Sequence, residues 1–131
     1  MNPASEDIKY LLEGESSLGL VFQTDLFIGT EPDMPNDCVT IFDTPGRPPQ
    51  LTLTKGEDYF YPSVQIRVRH SNYVDGYKLM HDIRTFLHGT NHETVNGTMY
   101  TLIKCSIEPS HLGQDSRKRE WFVATFDLQR R

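Results

Sequence analysis

The sequence predicts an α+β domain in the order α-β-β-β-α-β-β, with a mainly antiparallel five-stranded sheet and two helices packed on one face. Three observations predict it. Two segments, "SEDIKYLLEG" and "NYVDGYKLMHDIRTFLHG", carry apolar residues at helical spacing. Five others read as strands, and "SVQIRVRH" alternates most cleanly. A length of 131 residues suits one core and one domain, 1–131.

The first helix falls within residues 1–15. Ser5 is its expected cap, Glu6 and Asp7 suit its first turn, and Gly14 suits its end. Ile8, Leu11 and Leu12 form its apolar stripe. Residues 20–28 read as the first strand and 37–44 as the second, ended by Pro45-Gly46. Between strands two and three, residues 45–62 form a long loop or β-arm, stiffened by prolines, with "QLTLT" as a brief strand. The third strand ends at His70. The second helix takes Ser71 or Asn72 as its cap and Gly89 as its stop, with Tyr73, Tyr77, Met80, Ile83 and Leu87 along its inner side. Asn96-Gly97 marks a tight turn. Residues 98–107 and 120–128 are the last two strands, joined by a charged loop at 109–118.

Taking strand residues at period two assigns the two sheet faces. Leu20, Phe22, Leu26, Ile28, Cys38, Phe42, Val64, Ile66, Val68, Met99, Ile103, Cys105, Phe122, Phe126 and Leu128 form the core face. Val21, Gln23, Phe27, Val39, Ile41, Arg67, Arg69, Tyr100, Leu102, Lys104, Trp121 and Val123 form the other. That second face is neither a plain solvent face nor a core, and two helices cover only one side. The long loop can shield part of it, and the remainder, a mix of aromatic, Arg and apolar residues, has the composition of a protein–protein surface, so another chain is expected to cover that remainder. One alternative is a monomer in which the long loop folds over Trp121 while Arg67 and Arg69 snorkel. A stacking platform for single-stranded nucleic acid, built from Tyr100, Trp121, Arg67 and Arg69, is the alternative reading of the same residues.

Little points to catalysis. The net charge of -5 argues against a general nucleic-acid binder. There is no apolar run of membrane-spanning length and no signal-peptide pattern, so the expectation is a chain made and kept in a cytoplasm. Cys38 and Cys105 are far apart and read as reduced, buried thiols. His88 and His92 have metal-like spacing, with Glu93 as a third candidate, but Gly89 interrupts the helix between them. His81-Asp82 lacks a nucleophile. A carboxylate cluster of Asp25, Asp43, Glu57, Asp58 and Gln65 has no specific spacing. No catalytic residue, metal or cofactor is expected.

Three stretches carry a family likeness: "IFDTPG", "YPSVQIRVRHSNYVDGYKLMHDIRTFLHG" and "GTMYTLIKCSIEPSHLGQDSRKREWFVATFDLQRR". Together they resemble the minor capsid, tail-terminator or tail-completion proteins of tailed bacteriophages, from about Asp37 to the C-terminus. "VQIRVR" and the pattern of Pro109, Leu112-Gly113, Asp115 and Arg119 are the most specific parts. The resemblance implies a non-enzymatic virion protein, assembled in the host bacterial cytoplasm and resident at the tail end or neck. It implies a homo-oligomeric ring, typically a hexamer, that terminates the tail tube and docks a neck or head-completion protein. Genomic DNA would pass through the channel without specific binding, and no membrane is involved. Mapped onto this chain, the implied contact residues are Arg47, Arg67, Arg69, Asp115, Arg119 and Trp121.

Overall fold

The structure is a computed structural model that describes residues 1–50, 53 and 59–131. Along the chain run α1 (Ala4–Gly14), β1 (Leu26–Ile28), β2 (Cys38–Gln50), β3 (Tyr59–His70), α2 (Tyr73–Leu87), β4 (Glu93–Val95), β5 (Thr98–Gln114) and β6 (Glu120–Arg130). The sheet has six strands in the order β1-β2-β3-β6-β5-β4. All pairs are antiparallel except β1 with β2. The α+β class therefore holds, but the sheet is mixed and gains a strand over the five expected.

The extra strand is β4, in the segment read as a turn. Asn96 and Gly97 both take positive φ, 50° and 79°. Such a two-residue turn matches strand twist and folds Glu93–Val95 back on β5. At the other edge, β1 is shorter than residues 20–28. The Asp25 carboxylate accepts the Val21 N–H at 2.7 Å, and Thr24 and Asp25 donate backbone N–H groups to the Val21 carbonyl. These local bonds make a turn in place of strand pairing.

The two long hairpins extend further than expected. The described part of residues 45–62 is a β-arm, with Arg47 opposite Tyr61 and Gln50 opposite Tyr59. Of "QLTLT", residues 51, 52 and 54 lie outside the described residues. The charged loop at 109–118 shrinks to a turn because β5 continues to Gln114. Asp115 closes that turn by accepting the N–H groups of Arg117 and Arg119, each at 2.9 Å.

Both helices pack on one face, over Val39, Ile41, Val64, Ile66, Val68, Ile103, Phe122, Phe126 and Leu128, all buried. Val39, Ile41 and Tyr100 are thus core residues and not members of the second face. Cys38 and Phe42 lie on the side opposite Val39 and Ile41. "CVTIF" is apolar at both parities, so only pairing with β3 (Val39 opposite Val68, Ile41 opposite Ile66) fixes its facing. In β5 a register shift between Tyr100 and Leu102 reverses parity, turning Tyr100 as well as Ile103 inward. Phe22 and Val21 sit in the turn before β1, with Phe22 half-buried under the Lys9 ammonium.

The helix ends also differ in detail. Ser5 does not cap α1. Asp43 on β2 does, accepting the Ser5 N–H at 3.0 Å and its hydroxyl at 2.6 Å, a carboxylate at a helix N-terminus. Asn72 caps α2 as expected, accepting from the Asp75 N–H at 3.1 Å. The inner side of α2 is Gly76, Met80, Ile83 and Leu87, whereas Tyr73 and Tyr77 are exposed. The stripe rotates because Gly76 lies against β6, where an added Cβ would come within 2.8 Å of Phe122.

Candidate functional site

The second sheet face is built in cross-strand rows. Cys38, Arg69, Trp121 and Gly113 form one row, followed by Thr40, Arg67, Val123 and Ser110. Phe42, Gln65, Thr125 and Ile107 come next, then Thr44, Ser63, Asp127 and Lys104. Among the described residues no helix covers these rows.

A strap formed by residues 29–37, between β1 and β2, crosses the first row. Arg69 is 3% exposed and ties the strap down. Its guanidinium donates to the carbonyls of Asn36 at 3.2 Å, Asp33 at 3.3 Å and Pro35 at 2.6 Å, and to Glu31 at 3.0 Å. The same Glu31 oxygen accepts the Trp121 indole N–H at 2.8 Å, and its other oxygen lies 3.7 Å from Arg67. Arg67 stacks between Phe42 and Trp121. Arg119, also buried, bonds the Asp33 carbonyl and pairs with Asp115 at 2.7 Å, while Arg117 pairs with Asp33 at 2.9 Å. Buried guanidinium groups are tolerable only when paired like this. Beneath them, burial pushes the Cys38 thiol up to about 11, so it stays protonated at neutral pH. Both cysteines are free and buried.

Arg69, Arg119, Asp115, Arg67 and Trp121, five of the six candidate contact residues, therefore gather at one end of the sheet. Arg47 sits apart on the β2–β3 arm, stacked 4.4 Å above the Tyr61 ring. It lines an open groove of about 480 Å³ with Pro45, Tyr61, Leu102 and Lys104. The chain's own strap at residues 29–37 covers the Arg69 and Trp121 row, a correction to the expectation that the long loop at 45–62 and another chain share this face. Below it, Leu102 and Ile107 remain 40% and 58% exposed. The nucleic-acid platform does not form, since Tyr100 and Arg69 are buried and Tyr100 points to the helix side.

The sequence reading missed Glu31, Asp33 and Asp7. Asp7 is fully buried under α1. It accepts from the Tyr100 hydroxyl at 2.5 Å and from Asn96 at 2.9 Å, and lies 3.6 Å from Arg130. Burial, then the bond to Asp7, pushes the Tyr100 hydroxyl up. The available signal was an acid in the inward half of an amphipathic helix, which demands a partner.

The other chemistry-bearing candidates serve the backbone. Asp25 and Asp43 cap local N–H groups, and Asp37 accepts from Ser71. Asp43 and Gln65 lie on opposite faces, and Glu57 and Asp58 fall outside the described residues. The His88 ring accepts the Cys105 N–H at 2.9 Å, and His81 stacks on Tyr77.

Fold and site together define a two-layer α+β domain whose buried charges are ties and caps. A chain from the virion of a native gene transfer agent particle shares this fold: TM-score 0.67, 8% identity, covering 96% of this chain and 92% of that one. A second solved structure aligns with TM-score 0.55 and 6% identity, over 98% of this chain and 91% of its own. No curated protein matches the sequence. The profile of the bacteriophage tail terminator protein family matches residues 15–130, and the chain belongs to that family. It is a structural protein of a phage tail.

Proposed function

We propose that copies of this chain close into a ring, of six by analogy with the family likeness, at the head-facing end of the tail tube. There the ring stops tube growth and docks a neck or head-completion protein, and genomic DNA passes through it without specific binding. Assembly takes place in the host cytoplasm. The observation that carries this reading is the open lower part of the second sheet face, where Leu102 and Ile107 are exposed and Phe42 and Val123 are half-buried. A family member of the tail terminators with such a face has a ready surface for a neighbour.

The contact runs through faces in this reading, with sheet edges left out. Pro45, Pro48 and Pro49 in β2 and Pro109 in β5 remove backbone donors where these strands run past the three-residue edge strands β1 and β4, which discourages strand addition. A heterologous face contact that closes gives a ring.

Negative-stain microscopy of the purified protein, alone and with tails lacking it, tests the reading. Rings, and tails of defined length, are the expected result. Ile107→Asp, a change at an exposed position on the open part of this face, should leave the subunit folded while reducing ring formation or tail joining several-fold. A variant that assembles normally would remove Ile107 from the contact. A wild-type protein that never rings and never binds tails would sink the reading.

A further inference from the structure

On the helix side of the sheet, the turn after α1 and the C-terminal half of α2 enclose a hollow of about 410 Å³. It is lined by Glu15, Ser17, Leu18, Asp82, Thr85 and Phe86. Its floor is apolar, since Leu18 and Phe86 pack against the core. Its rim carries two carboxylates. Among the described residues Asp82 makes no hydrogen bond or ion pair, and Glu15 accepts only from Ser17. A hollow with a greasy floor and an anionic rim suits a long side chain with an apolar stem and a cationic head.

The other side of the molecule carries such a side chain. Arg47 lies on the β2–β3 arm opposite Tyr61, beside the last residues of β6, whose Arg130 pairs with Phe60. Its guanidinium rests on Tyr61, and no carboxylate pairs with it among the described residues. Lys104 lines the same groove, with Asp127 opposite it on β6, and makes no ion pair among the described residues. Pro45, Pro48 and Pro49 hold the arm stiff, so little conformational freedom is lost on docking. The sheet separates groove from hollow, so a copy cannot satisfy its own hollow with its own arm.

We propose that the hollow receives the proline-rich arm of a second copy of this chain, with Arg47 inserted between Glu15 and Asp82 over Leu18 and Phe86. Arg suits this role because its planar fork bonds carboxylates at fixed geometry. The contact is heterologous: arm on one copy, hollow on the next, repeated around the assembly. This rests on the ring reading and names the surfaces that meet. The charge pair sets which copies meet and in what register.

The test uses the full chain and charge exchange. Arg47→Glu and Asp82→Arg should each weaken self-association about tenfold or more, measured by sedimentation, and raised salt should weaken the wild type in the same sense. The chain carrying both changes should recover association. Arg47 and Asp82 are exposed, so thermal melts of all three variants should match the wild type. As a second readout, a chain with Arg47→Cys and Asp82→Cys should give a ladder of cross-linked copies on oxidation, in solution or on tails. Single reversals that associate normally, or a double reversal that recovers nothing, would overturn the arm-to-hollow contact while leaving the ring. A wild type that stays monomeric at every concentration and on tails would overturn both.

Discussion

Arg69 concentrates the chemistry of the second face. A guanidinium buried at 3% exposure is costly unless its donors are used, and here its donors go to three strap carbonyls and one carboxylate. Arg69→Ala removes four of the strap's ties at once and leaves Glu31 to the Trp121 indole and Arg67. It should destabilise the fold by about 3 kcal/mol in urea titration. Trp121 fluorescence should change with it, because Glu31 holds the indole N–H. The residues singled out from the sequence at this end do converge, but on one another. Their meeting point is the strap segment "GTEPDMPND", whose acids carry no periodicity and so gave no sign of being buried partners.

At the scale of the element, the β5–β6 hairpin depends on carboxylates. Burial works against the charged form of Asp115, but the backbone and guanidinium bonds from Arg119 and the N–H of Arg117 outweigh it and hold the carboxyl below its usual range. Gln114 and then His111 do the same for Glu120. A depressed folded pKa contributes stability that is complete above the unfolded value, about 4 for these side chains. That stability is lost as pH falls through the lower folded value. Amide protection at residues 115–119, taken relative to the intrinsic exchange rate at each pH, should therefore fall selectively below about pH 4, and Asp115→Asn should remove the dependence at that residue. A protection profile flat down to acid unfolding would contradict it. The hairpin's length was only partly legible. "EPSHLGQ" has the composition of a loop, and the strand persists there because β6, buried and strongly apolar, offers a full ladder to pair with.

Across the whole molecule, the spacing between the helix layer and the sheet is set at Gly76. A Cβ there would come within 2.8 Å of both the His70 Cβ and the Phe122 ring, so α2 must move out. Gly76→Ala should lower stability by about 1–3 kcal/mol, although alanine is the better helix former. Equilibrium denaturation measures this, and a stabilised variant would show that the layers have slack. The periodicity placed α2 correctly but put Tyr73 and Tyr77 inside. Large aromatic rings look buried by type, whereas the close approach selects the smallest residue on the helix.

By itself, the sequence determined the class of fold, both helices, the position of each long strand and the likeness to tail terminators. These follow from periodicity, caps and turn residues, which act over a few neighbours. Tertiary structure decided which way "CVTIF" faces, how β5 reverses parity, and that a polar strap covers the Arg69 and Trp121 row of what looked like an open interface. Such choices rest on pairing and ionic ties between residues far apart in the chain, and local pattern carries no information about them.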